Sequence, residues 1–357
     1  RQTPEDVASL YKTALEAGAF VNFYMFCGGT TFGFHNGALV GRYGADTPDA
    51  KNRYLPFATS YDVDALVTEY GYPTPKYYRC KQVLKEYMIS KGYDFTGTAD
   101  MGGYICKTQK IENVKMAKAA DFIDNAKNLA KEVRNSRLPL TFKDMDLDYG
   151  FMLYSTEIKY TDDAKRSITI EGLQDRAMIF VNGEYVGCIM RDRQQEPIIF
   201  EVPKEGAELD ILVENMGRVN YGCAMINEYK GICGYVRIEI VCEDGSLYPW
   251  NYAQKTKWTN IALPCDDMSK TDFNISPKPN RPTVFEGSFK AEPGVDTFLN
   301  PIGWEKGFVE INGFNIGRYW SVGPQGTLYV PGELLKEDNT IRITELHNIP
   351  EDMTINF

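Results

Sequence analysis

Histidine is nearly missing from this 357-residue chain, which has two, His35 and His347, far apart. That scarcity argues against a histidine-based triad or metal centre. The eight cysteines (Cys27, Cys80, Cys106, Cys188, Cys223, Cys233, Cys242 and Cys265) are scattered without a CxxC pair, so zinc-site spacing is absent as well. Their even number permits disulfides, whereas reduced, partly buried thiols are the reading for a cytosolic protein. Dense Lys/Arg runs are also lacking and the net charge is −10, which excludes nucleic acid and anionic membrane as natural partners. No apolar run approaches the roughly 18–20 residues needed to cross a bilayer. Chemistry, if the chain performs any, falls to carboxylates.

Aromatics are plentiful, with 23 Tyr and 19 Phe, as expected of strand-rich structure or aromatic binding surfaces. The length allows two or three domains with real cores. Near the N-terminus, Thr3 is a predicted helix N-cap, followed by Pro4 and by Glu5 and Asp6 at the positive end of the dipole, with Gly18 as the stop. The apolar run FVNFYMF at 20–26 reads as a strand buried on both faces, ending at Gly28-Gly29. A second helix is predicted from Thr74 and Pro75 to Gly92. Beyond it the chain turns to short alternating strands, with a short helix expected within 121–132.

The β-rich part repeats itself. RAMIFVNGEYVG (176–187) and KGFVEINGFNIG (306–317) share the frame apolar–Asn–Gly–x–x–apolar–Gly. Asn182-Gly183 and Asn312-Gly313 have the chemistry of two-residue type I′ hairpin turns. Val202-Pro203 and Val330-Pro331 follow, and then the terminal strands LDILVEN (209–215) and TIRITEL (340–346). The repetition predicts two related β-sandwiches of jelly-roll type, with 264–282 as connecting loop.

Several motifs in order carry a resemblance: NFYMFCGGTTFGFHNGA, TSYDVDALVTEYGYPTPKYY, YGFMLYSTEI, DRAMIFVNG, ILVENMGRVNYG and DTFLNPIGWEKGFVEINGFNIGRYWSVGPQGTLYVPG. From end to end the chain resembles glycoside hydrolase family 35, the β-galactosidases. The resemblance implies a (β/α)₈ barrel followed by β-domains, no cofactor, and hydrolysis of terminal β-linked galactose with retention. Retention requires two carboxylates about 5–5.5 Å apart. In the family both are glutamates borne after barrel strands four and seven, so the resemblance places both upstream of Arg1. The expected organisation is the C-terminal end of a TIM barrel (1–92), a connecting segment (93–145), a first β-sandwich (146–242) and a second, galactose-binding-like jelly roll (243–357). The chain alone is expected to be inactive. Its expected partners are a galactoside and either a companion carrying the rest of the barrel or a symmetry-related copy.

By the same resemblance, Tyr24 and Tyr61 line the galactose subsite and Tyr221 borders the aglycone subsite; tyrosine suits sugars because ring and hydroxyl both find partners. Two departures from the family pattern, Thr31 in GGTTF and Val63 in SYDVDA, bear on the substrate. Asp62, Asp64 and Glu69 read as caps of turns or helix starts. Asn215 and Arg218, with Asn220, read as a polar turn, and Trp304, Tyr319 and Trp320 as core or interface aromatics. A non-catalytic carbohydrate-binding module and a structural or oligomerisation unit are the rival readings.

Overall fold

The computed structural model describes residues 2–41, 53–62, 64–94, 106–159, 165–191, 197–249, 257–274 and 276–357. Helix α1 (Pro4–Glu16) starts from Thr3 in a reciprocal capping box with Asp6, which satisfies two otherwise orphaned N–H groups. Helix α2 (Pro75–Ser90) follows Thr74, and the two helices pack together. Gly18 and Gly92 take positive φ beyond their helix ends, as expected.

The predicted strand at 20–26 does not form. The segment is irregular, with Phe20 fully exposed, Tyr24 84% and Phe26 48% exposed. Phe23 packs on Tyr11 of α1 at 4.8 Å and Phe26 on Tyr77 of α2 at 6.3 Å, so the helices cover one side. On the other side no described strand lies alongside it. A strand is defined by neighbours that take its backbone hydrogen bonds; along this run the described backbone gives one, from Val67 N–H to the Phe26 carbonyl at 3.0 Å, where Cys27 bridges Val67 at the run's end. No barrel is present among the described residues.

In the first sandwich, a six-stranded sheet runs in the order Glu184–Met190, Arg176–Val181, Ala207–Glu214, Phe151–Ile158, Trp258–Leu263, Glu132–Ser136. It faces a four-stranded sheet of Ile198–Glu201, Lys165–Ile170, Val236–Val241 and Leu247–Pro249. Met152, Tyr154, Ile179 and Ile211 meet Ile168, Ile170, Phe200 and Ile238 in the core between them. In the second unit the six-stranded order is Phe314–Trp320, Lys306–Ile311, Asp338–Glu345, Thr283–Lys290, Val114–Asp121, Thr354–Ile355. Leu299, Leu328 and Val330 of a two-stranded sheet close its core.

The repeat is realised in three dimensions. Each Asn-Gly hairpin pairs with its terminal strand in the same order, and each carries a register shift at the equivalent step, Ile179/Phe180 and Val309/Glu310. Asn182 and Gly183 have φ of 50° and 78°, Asn312 and Gly313 of 52° and 86°, the positive pair that a type I′ turn demands. Asn182 Oδ1 accepts from Glu208 N–H and Asn312 Oδ1 from Thr340 N–H, both at 2.9 Å.

Strand membership redraws the expected boundaries. Val114–Asp121, expected in a connecting segment, pairs with Thr283–Lys290 of the second unit. Glu132–Ser136 pairs with Trp258–Leu263, which joins the first sandwich through Phe151–Ile158. The first sandwich is thus inserted between two pieces of the second. Edge pairing follows spatial proximity, and neither strand's pattern names its sheet. The connector 264–282 holds the 3₁₀ turn Met268–Lys270, and the short helix expected within 121–132 is one turn, Ala126–Leu129.

The two six-stranded sheets share a core through their outer faces. Met178, Phe180 and Leu212 of the first meet Val284, Phe308 and Leu346 of the second. This is why AMIFV, at 177–181, reads as an unbroken apolar run: both of its faces are buried.

Candidate active-site region

The loops of 1–92 are organised by two small sheets. Gly29–Thr30 pairs with Ser60–Tyr61, placing Tyr61 opposite Gly29. Gly37–Val40 pairs with Tyr54–Pro56 and, in parallel, with Arg218–Val219 from the first sandwich. The second pairing brings the loop bearing Tyr221 beside this region.

Tyr61 is half-buried, with its ring 6.2 Å from Phe57. Tyr24 and Tyr221 are exposed, the latter at 70%. Among the described residues no hydrogen bond or ring contact joins these three tyrosines. Val63 lies outside the described residues. Thr31 donates through Oγ1 to Thr59 O at 2.7 Å, so it ties two loops together.

The three tempting acids have separate structural duties. Asp62 packs against Gly28 so closely that a Cβ there would stand 2.7 Å from the Asp62 Cβ. Asp64 forms an ion pair with Lys76 of α2 at 2.5 Å and accepts from Gln2 N–H at 3.3 Å. Glu69 accepts from Thr30 Oγ1 at 2.7 Å; burial raises its carboxyl above the ordinary range despite hydroxyls that favour the anion. The Asp62 charge adds to that rise, so these two acids lie near one another, whereas Asp64 is committed to Lys76.

The polar turn after Glu214 is a clamp. Arg218 donates to the carbonyls of Asp148 (3.0 Å), Glu228 (2.7 Å) and Leu147 (3.3 Å). Asn215 Nδ2 donates to Asp148 O at 2.9 Å. Asn36, from the opening loop, donates to Met216 O at 2.8 Å and Phe57 O at 3.0 Å. Trp304 and Tyr319 are buried, and Trp320 packs beside the small core of Ala38, Tyr54, Met216 and Val219.

Sequence reasoning missed two buried ion clusters. Lys230 pairs with Asp175 at 2.8 Å and Glu228 at 2.7 Å, and Arg191 with the same two carboxylates at 2.7 and 2.9 Å. Above them the Tyr54 hydroxyl donates to Asp175 (3.0 Å), and its ring lies 4.6 Å from the Arg191 guanidinium and 4.9 Å from the Lys230 ammonium. Burial pulls the Lys230 pKa down, with Asp175 and Glu228 opposing. In the second cluster Glu214 of the first sandwich pairs with Lys306 (2.7 Å) and Arg318 (2.8 Å) of the second unit and stands 3.8 Å from Arg176. Burial opposes ionisation of Glu214, but the three cations outweigh it and hold its carboxyl down to about 2. These clusters had no local signal, since the first gathers Asp175, Arg191 and the Glu228–Lys230 loop from distant connections and the second gathers residues of four strands. A cavity of about 80 Å³ opens beside the second, lined by Asn36, Phe57, Thr59, Lys306, Arg318 and Trp320.

All eight cysteines are free thiols. No group of His, Cys, Asp or Glu among the described residues has a metal-binding arrangement. No described helix is long and apolar enough to cross a membrane.

Comparison with known proteins places this architecture. Residues 1–87 match the profile of glycosyl hydrolases family 35, 139–251 that of the first all-beta domain of beta-galactosidase, and 282–340 that of its galactose-binding domain. The chain belongs to glycosyl hydrolase family 35. The beta-galactosidase-1-like protein of Mus musculus is 33% identical over 364 residues, covering 100% of this chain and 52% of its own. Beta-galactosidase of Bos taurus is 33% identical over 361 residues, covering 96% and 52%. The family 35 chain therefore spans about half the length of these curated relatives. The apo lectin of Pleurotus ostreatus aligns with 70% of this chain and 79% of its own at 10% identity, but its TM-score of 0.24 is too low to carry an argument.

Proposed function

We propose that this chain is the C-terminal part of a retaining exo-β-galactosidase that removes terminal β-linked galactose from oligosaccharides or glycans. In this reading a barrel portion outside these 357 residues, on the same or a companion polypeptide, supplies both catalytic glutamates. The observation that supports it is the family 35 match over 1–87 together with the aromatic run at 20–26, whose uncovered face has the character of a barrel strand without its neighbours. Tyr24 and Tyr61 then line the galactose subsite and Tyr221 borders the leaving group. Each offers a ring to sugar C–H faces and a hydroxyl to sugar hydroxyls. The chemistry is a double displacement: one glutamate attacks the anomeric carbon while the other protonates the leaving oxygen, and the second then activates water. Asp62, Asp64 and Glu69 take no part, because their contacts commit them to loop architecture.

The test is turnover of a nitrophenyl β-galactoside by the purified chain, alone and after reconstitution with the barrel portion that carries both glutamates. The expected result is no turnover alone and turnover on reconstitution. Activity of the isolated chain that disappears in Asp62→Asn or Asp64→Asn would overturn the assignment. Galactose binding by the isolated chain, with no hydrolysis on reconstitution, would favour a binding module instead.

A further inference from the structure

His347 follows the strand Asp338–Glu345 and sits where the second unit meets the first. Its carbonyl accepts from Asn280 N–H of the connector at 2.8 Å, and its own N–H donates to Glu345 Oε1 at 2.9 Å. Across the seam, Arg176 Nη2 meets the His347 Nε2, and the Tyr185 ring stands 6.2 Å away, edge-on. A guanidinium has only donors, so the ring nitrogen facing it must be an acceptor. The contact therefore requires a neutral imidazole with its proton on Nδ1.

The surroundings leave no room for another cation. Arg176 and Lys306 both face the ring, and Glu214 is the carboxylate that opposes them. Glu214 is already engaged by Lys306, Arg318 and Arg176. On the strand before His347, the Glu345 carboxylate is taken by the N–H groups of Glu305, Lys306 and His347 and by the Tyr319 hydroxyl. Glu305 itself is exposed.

We propose that His347 is an acid-responsive latch between the two sandwiches: neutral, it accepts Arg176 and closes the seam; protonated, it adds a cation to an already cationic pocket and loosens the seam. Each sandwich keeps its own core on either side, so the effect concentrates on the shared layer of Met178, Phe180, Val284 and Phe308. Burial and the charges of Arg176 and Lys306 lower the imidazole from 6.5 to about 4, so the latch is closed at neutral pH and opens as pH falls toward 4. The sign follows from proton counting: between those values the unfolded chain binds the proton and the folded chain resists it, so stability falls with falling pH.

With only two histidines in the chain, NMR can titrate His347 directly. His347 should titrate well below 6.5, and Arg176→Gln should raise it. His347→Gln keeps an acceptor for Arg176 but cannot titrate. Its loss of Tm between pH 7 and 4.5 should be about 2–4 °C smaller than that of the unaltered chain. Hydrogen exchange, corrected for its intrinsic pH dependence, should accelerate in acid at Val284 and Phe308 more than at Ile168 or Ile238. An ordinary titration of His347, or equal acid sensitivity in His347→Gln, would overturn the latch. Should that variant fail to fold, the titration of the unaltered chain and the exchange pattern decide.

Discussion

FVNFYMF at 20–26 and RAMIFV at 176–181 are much alike as sequence, both short, apolar and free of alternation. Their fates are opposite. The second is a strand in which every residue is buried, between Glu184–Met190 and Ala207–Glu214. The first is irregular and largely exposed. The difference lies outside both runs. One has two flanking strands and a sheet on each face; the other has two helices on one side. Apolar character creates a demand for burial, and only neighbours can meet it.

The largest test of this contrast is hydrogen exchange. Amides of 177–180 should be protected by several orders of magnitude more than those of 21–26, because exchange from a doubly flanked strand requires extensive unfolding. Comparable protection in the two runs would remove the contrast. Next come truncations. Phe180→Ala should cost about 3–5 kcal/mol by emptying the layer between the sheets. Phe20→Ala, at a fully exposed ring, should change stability by less than about 0.5 kcal/mol. If covering the barrel face with an N-terminal fragment raises that second cost, the proposed function gains support.

The seam gives a pH test. Glu214 is held at about 2 in the folded chain against an ordinary 4.5, so the stability it contributes above 4.5 is lost as pH falls toward 2. The loss should be on the order of 3 kcal/mol for a fully buried group, read from urea midpoints between pH 5 and 2. Glu214→Gln should flatten that part of the slope, and an unaltered slope would remove Glu214 from the acid response. A more modest loss is expected at the two hairpins. Gly183→Val and Gly313→Val should each destabilise by roughly 1–3 kcal/mol, since a β-branched residue tolerates positive φ poorly. Equal losses would show that the repeat carries the same strain at both sites, and no loss at either would remove the turn argument.

Local features were legible in the sequence because their causes lie within a few residues. Thr3 and Pro4 start a helix, Gly18 and Gly92 follow helix ends, and both Asn-Gly pairs turn hairpins with equal geometry. Arg218 and Asn215 as a structural turn, and Trp304 and Tyr319 as interior aromatics, were legible from context. The strand at 20–26 was misread because the apolar pattern reports a preference for burial and carries no information on available partners. The sheet memberships of Val114–Asp121 and Trp258–Leu263 were hidden for a related reason, since either strand's pattern fits any half-buried sheet.

By itself, then, the sequence determined where the chain turns, where its helices begin, that its β-part is duplicated, and which family it belongs to. Only the tertiary structure decided that one sandwich is inserted into the other, that the duplicated hairpins share a buried layer, and that Glu214 meets Lys306 across 92 positions. It also decided that His347 is held neutral by a guanidinium. Caps and turns are written in backbone sterics and short-range hydrogen bonds, which act within a handful of residues. Burial, sheet pairing and ionisation depend on which distant groups exclude water from one another, and that is settled only when the whole chain has packed.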